Sequence, residues 1–231
     1  MWEIAGGLLG FIVGGFLTGG LDGLAHGRSP LAPQPCPICG ANLSFGERLW
    51  NRGGCGHASV GWRVLPALGA VAIGILSPIL AGPGIRGLFV AQSLWVLWTV
   101  SLTDIRERRI PDVVLLFGLL AASAVLAFSP NPLWVTRLEG FGVLFAITFT
   151  IALVSKGGMG GGDVKLAAYT GYLLGLAPGL TALLVGAFMG GLYGLGLVVL
   201  RKGSLRDQFA FGPFLAAGAV IFLLLKTAGG P

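Results

Sequence analysis

Charge is what this chain has least of. Only 10% of its 231 residues are Asp, Glu, Lys or Arg, against 55% hydrophobic residues. A soluble domain carries roughly 25% charged residues, so the polar surface that keeps a globule in water is missing. Soluble enzymes, coiled coils, collagens and disordered chains are excluded. Cysteine is scarce as well. Three residues, an odd number, build no disulfide framework, and the CxxC pair Cys36-Cys39 reads as part of a metal site in a reducing compartment. There is no Rossmann-type glycine-rich nucleotide motif, no low-complexity tail and no internal repeat. A basic n-region is also missing: the chain opens Met1-Trp2-Glu3, so its first apolar stretch is expected to stay as a span and not to be cleaved as a signal peptide.

What is present is apolar length and glycine, with 41 glycines in all. A span needs about 20 apolar residues. Candidates lie at 4–22, 64–81, 87–103, 112–128, 140–155, 163–177, 180–200 and 211–227, with 163–177 the one expected to be re-entrant or enclosed by the others. The expected fold is therefore all-α, a polytopic membrane bundle of about eight helices. Its divisions are a first span (1–22), a cytoplasmic cysteine-containing loop (23–63) and a membrane core (64–231). Gly6, Gly10, Gly14 and Thr18 share one helical face, as do Gly186, Gly190 and Gly194; such ridges let helices approach closely in lipid.

The net charge of +6 would suggest nucleic acid in a soluble protein. In a membrane chain it marks cytoplasmic loops, and no nucleic-acid partner is expected. With the N-terminus outside, the inner loops hold Arg28, Arg48, Arg52, Arg63, Arg106, Arg108, Arg109, Lys156, Lys165, Arg201, Lys202 and Arg206. Only Arg86, Arg137 and Lys226 fall outside, a partition of 12 to 3.

Ionisable residues at membrane depth are functional candidates by default, and nine acidic residues can be inspected singly. Glu3, Asp22, Glu47, Glu139 and Asp207 have solvated or interfacial explanations. In the segment 101–112, Asp104 ends the third span, Glu107 is a surface partner for neighbouring arginines, and Asp112 is expected to cap the next helix after Pro111. Asp163 follows the glycine run Gly157-Gly158-Met159-Gly160-Gly161-Gly162, unwound backbone that is tolerated at membrane depth only along a cavity or protein wall. The plainer reading of Asp163 is an N-cap aspartate after a cytoplasmic loop. Asp104 and Asp163 are 59 residues apart, yet fall at the same depth on the same side. Two carboxylates brought together in a low-dielectric site cannot both ionise easily. One can then activate water while the other donates a proton, which is aspartyl-protease chemistry.

These residues resemble the type IV prepilin leader peptidases, membrane aspartyl proteases of the GxGD type. The matching motifs are Gly160-Gly161-Gly162-Asp163 with Val164-Lys165-Leu166; Asp104 with Ile110-Pro111-Asp112; Phe211-Gly212-Pro213-Phe214-Leu215; and Cys36-Pro37-Ile38-Cys39-Gly40. The resemblance implies an endopeptidase that removes the basic leader of prepilins and pseudopilins at the cytoplasmic face of a prokaryotic inner membrane, and in many members S-adenosylmethionine-dependent methylation of the new N-terminus. It implies Asp104 and Asp163 as the catalytic pair, and Gly160 and Gly162 as part of the substrate-access motif. Lys165 either tunes the pair or anchors at the interface.

The cysteine loop departs from the family pattern of two CxxC pairs. After Cys36 and Cys39 the second pair is reduced to Cys55, with His57 two residues on, which still leaves a Cys₃His set for zinc. His26 reads as interfacial. The family's glutamate at the start of the next span is absent from Trp62-Arg63-Val64-Leu65-Pro66-Ala67-Leu68, which leaves methylation open. Two rival readings remain at this stage: a proton- or ion-coupled small transporter, which uses intramembrane carboxylates beside broken helices, and a catalytically silent scaffold. Oligomeric state is not legible.

Overall fold

The computed structural model describes residues 34–35, 42–43, 60–82, 84–129, 133–155, 158–200 and 210–228. The expected first span and most of the cysteine-containing loop, with Cys36, Cys39, Cys55 and His57, lie outside the described residues.

The chain divides into two compact units, Met1–Ile79 and Leu80–Pro231. In the first, strands β1 (Gln34–Pro35) and β2 (Asn42–Leu43) form a small antiparallel pair, with Gln34 opposite Leu43 and Pro35 opposite Asn42. Most of helix α1 (Val60–Ala81) belongs to the same unit.

Among its described residues the second unit is a bundle of six helices: α2 (Ile85–Glu107), α3 (Asp112–Ala127), α4 (Trp134–Val154), α5 (Gly161–Leu174), α6 (Leu176–Val199) and α7 (Gly212–Ala228). Three of them have membrane-crossing length and composition, over Ile85–Ile105, Trp134–Val154 and Leu176–Val199; Asp112–Ala127 and Gly212–Thr227 are apolar but shorter. This is the all-helical, polytopic membrane architecture that composition called for.

Helix α5 is the axis of the unit. It packs on α3, α4, α6 and α7, and from Leu166 to Leu174 every residue is buried. Its fourteen residues span only about 21 Å at 1.5 Å per residue, less than the roughly 30 Å hydrocarbon layer. A helix hidden by its neighbours need not reach both surfaces, which is why the 163–177 segment reads as a weak span. It stops because Gly175 turns to φ +86°, a left-handed backbone that favours glycine. Its long neighbour α4 lies against it through two facing glycines: a Cβ on either Gly140 or Gly171 would overlap the other's backbone carbonyl. The ridge on α6 serves the same end, with Gly186 against Leu215 and Phe214 of α7, and Gly190 against the Phe211 ring.

One boundary differs from expectation in a way that bears on the packing. Helix α4 starts at Trp134, six residues before the expected 140, so Arg137 and Glu139 sit in the helix and not in an outer loop. Arg137 is buried: its Nη1 donates to the carbonyls of Tyr172 (3.1 Å) and Leu173 (2.5 Å), and its guanidinium lies 5.0 Å from the Phe89 ring centre. Lys226 donates to the Leu174 carbonyl at 3.2 Å. The last carbonyls of a helix have no partner within it, and here two cations supply partners at the buried C-terminal end of α5.

Candidate active site

Asp104 lies in the last turn of α2, and its position is prepared by its neighbours. Ser101 and Thr103 turn their hydroxyls back onto carbonyls of the preceding turn (Leu97 at 2.7 Å; Thr99 and Val100 at 3.1 and 3.0 Å), satisfying polar groups inside the bundle without an outside partner. The helix then ends on Arg108, whose left-handed backbone (φ 52°) sends its N–H to the Asp104 carbonyl at 2.9 Å. The Asp104 side chain is buried, 6% exposed. Its Oδ2 accepts the backbone N–H of Gly212, at the start of α7, at 2.8 Å.

Asp163 sits in the first turn of α5. Gly160, extended at φ −72° and ψ 144°, occupies the N-cap position, and the Asp163 N–H donates to its carbonyl at 3.1 Å. The N-cap reading of Asp163 is therefore corrected: the cap is Gly160, and the aspartate stands three residues further in. The glycines admit no side chain on the covered side. A Cβ at Gly162 would come 2.9 Å from Ile110 Cβ, so the Arg109–Pro111 connection can cross over the start of α5. A Cβ at Gly160 would meet Asp163 Oδ2 at 3.2 Å. Gly161 has open space beside it, and Gly160 and Gly161 are exposed.

The two aspartates stand within electrostatic reach of each other. Asp163 lies within the field of the Asp104 charge, so the last turn of α2, the first turn of α5 and the first turn of α7 converge on one acidic pair.

Lys165 stands elsewhere. Residues two apart on a helix point about 200° apart, and Lys165 Nζ binds both carboxylate oxygens of Asp112 at 2.7 Å. Asp112 accordingly makes no capping hydrogen bond for α3, whose cap position is Pro111. Of the two readings of Lys165, neither describes this contact: it ties α5 to α3. On that side of α5 lies a groove of about 410 Å³ lined by Leu115, Leu119, Phe141, Phe145 and Tyr169, with Asp112 and Lys165 on its rim. Among the described residues no three His, Cys, Asp or Glu side chains gather as a metal site.

Sequence reasoning missed three contacts: Gly212 on Asp104, Lys165 on Asp112, and Arg137 on the end of α5. Only the last had a usable signal, an arginine close to the apolar run 140–155.

An all-helical membrane bundle that closes three helix ends around two carboxylates is the class these observations define. Residues 91–195, which include both aspartates, match the type IV leader peptidase family. A prepilin leader peptidase/N-methyltransferase of Bacillus subtilis (strain 168) is 32% identical, over 94% of this chain and 92% of its own length. Proteins of the same name from Aeromonas salmonicida (strain A449) and Dickeya chrysanthemi are 29% and 27% identical, over 82% and 100% of this chain and 70% and 95% of theirs. No solved structure matches. The chain belongs to the type IV leader peptidase family.

Proposed function

We propose that this protein cleaves the leader from prepilins or pseudopilins with Asp104 and Asp163 as its catalytic pair. What supports the reading is that these two carboxylates lie within electrostatic reach of each other at one end of a membrane bundle, in a chain of this family. Like charges in a protein interior favour a state with one proton between them. The ionised carboxylate takes a proton from water as the oxygen adds to the scissile carbonyl carbon. The protonated carboxylic acid donates to the carbonyl oxygen. Collapse of the tetrahedral adduct breaks the C–N bond, and the leaving nitrogen gains a proton. The exposed backbone at Gly160 and Gly161 leaves room for an extended substrate strand beside the pair.

The charge partition of 12 to 3 supports an inner-membrane orientation with the pair on the cytoplasmic side. A substrate whose apolar helix lies in lipid brings its leader junction to that surface. The relatives carry a second activity in their names, N-methyltransferase. For this chain it is a proposal with S-adenosylmethionine as methyl donor. A structural zinc at Cys36, Cys39, Cys55 and His57 is likewise a proposal from donor chemistry alone, tested by metal content of wild type against Cys36→Ser.

The test is intact-mass analysis of a full-length prepilin mixed with the purified protein in liposomes, with and without S-adenosylmethionine. Wild type is expected to remove the leader mass while Asp104→Asn and Asp163→Asn do not. A further methyl-sized gain reports the second activity. Cleavage by both variants would overturn the pair, and no cleavage of several prepilins by wild type would overturn the reading.

A further inference from the structure

The inference here rests on the peptidase reading and adds a division of labour within the pair. The two aspartates differ in their surroundings. Asp104 Oδ2 accepts the Gly212 N–H at 2.8 Å, and both residues are buried. Gly212 opens the seventeen-residue α7, so the carboxylate meets the positive end of a helix. The fit admits no side chain: a Cβ on Gly212 would stand 2.8 Å from Oδ2 and 3.2 Å from Cγ of Asp104. Pro213 next in the chain suits a first turn and offers no competing N–H. The Asp163 carboxylate also lies beside a glycine, Gly160, where a Cβ would stand 3.2 Å from Oδ2, but Gly160 is exposed, and an interaction open to water is electrostatically weaker than a buried one.

A backbone N–H donates and cannot accept, so it favours the charged form of the carboxylate it touches. We propose that Gly212 is a positioning residue of this site: its N–H orients Asp104 and holds it as the charged, water-activating member, leaving Asp163 to carry and deliver the proton. The other charged groups on the packed helices do not compete. From α5, the facing group is Asp163 itself. From α3, Asp112 is tied to Lys165. Lys226 of α7 lies fourteen residues beyond Gly212 and holds the Leu174 carbonyl.

The experiment follows prepilin cleavage against pH by the full-length protein in liposomes, for wild type, Gly212→Pro, Gly212→Ala and Gly196→Ala. Gly212→Pro removes the donor. Gly212→Ala keeps it but presses a methyl group onto Oδ2. Gly196 faces open space on α6, so its variant controls for a new methyl group in the bundle. Both Gly212 variants are expected to lose about tenfold or more in rate at neutral pH, with the acidic limb of the profile moved to higher pH by about one pH unit, because proline removes the bond that favours the charged base and the alanine methyl group pushes Oδ2 away from it. Gly196→Ala is expected to follow wild type. An acidic limb left in place overturns the proposal, whether the rate holds or falls, since a packing defect lowers rate without moving the limb. Where Gly212→Pro loses its helicity, Gly212→Ala decides alone. Failure of wild type to cleave overturns the peptidase reading, and this inference with it.

Discussion

The two ends of α5 carry opposite charges and are treated in opposite ways. At its C-terminal end, Arg137 and Lys226 neutralise the carbonyls of Tyr172, Leu173 and Leu174, and the cations find partners where the helix runs out of its own. At its N-terminal end, Asp163 is set within the field of Asp104, a charge of the same sign. The first arrangement follows the helix dipole and lowers the energy of the fold. The second costs energy on folding, the arrangement expected of the catalytic pair proposed above. Complementary charge holds the helix in place, and under the proposed function opposed charge makes its other end reactive.

The largest effects should separate these ends cleanly. Asp163→Asn is expected to reduce prepilin cleavage by at least about a thousandfold, roughly 4 kcal/mol of barrier, while leaving thermal unfolding in detergent unchanged or slightly raised, because one of two opposed charges is gone. A fall in stability comparable to that of a packing variant would break the distinction. Gly171→Leu should do the reverse. Its side chain has no place against the Gly140 carbonyl, and a loss of about 3 kcal/mol or more, as in severe overpacking, should appear in unfolding of the bundle.

Arg137→Ala is expected to cost about 3 kcal/mol, since it strands buried carbonyls and deletes the contact over Phe89. The activity per folded molecule should stay within a few-fold of wild type. Lys165→Ala should be the smallest change. The ion pair with Asp112 is 52% and 67% exposed on its two sides, and exposed pairs contribute about 0–1 kcal/mol. A loss of cleavage tenfold or greater in this variant would mean the pair reaches the chemistry after all.

How much of this was legible beforehand follows the range of each interaction. Apolar runs report on a helix by itself, so the bundle and its membrane class were readable from the sequence. The glycine run before Asp163 is legible only in part: five glycines disfavour a helix locally, yet Gly161 and Gly162 already belong to α5 and the break ends at Gly160. Contacts between distant segments left no such trace. The bond from Gly212 to Asp104 joins residues 108 apart, and Phe211-Gly212-Pro213 was visible only as a matching motif, without its role. Arg137 was counted with the outer loops because nothing local shows that three buried carbonyls wait for cations one helix away. For Lys165 the sequence leaves two readings, tuning of the pair or anchoring at the interface, and neither shows that helical geometry turns it toward Asp112.

The measurement that tests the central claim most directly is the cleavage rate of a full-length prepilin by Asp104→Asn, Asp163→Asn and the double variant, beside wild type in the same liposomes. Groups that act as one unit are strongly non-additive. If the opposed carboxylates form a single catalytic device, the double variant is expected to be about as slow as either single one. Losses that multiply, so that the double variant falls by the product of the two single effects, would contradict a shared function for the pair.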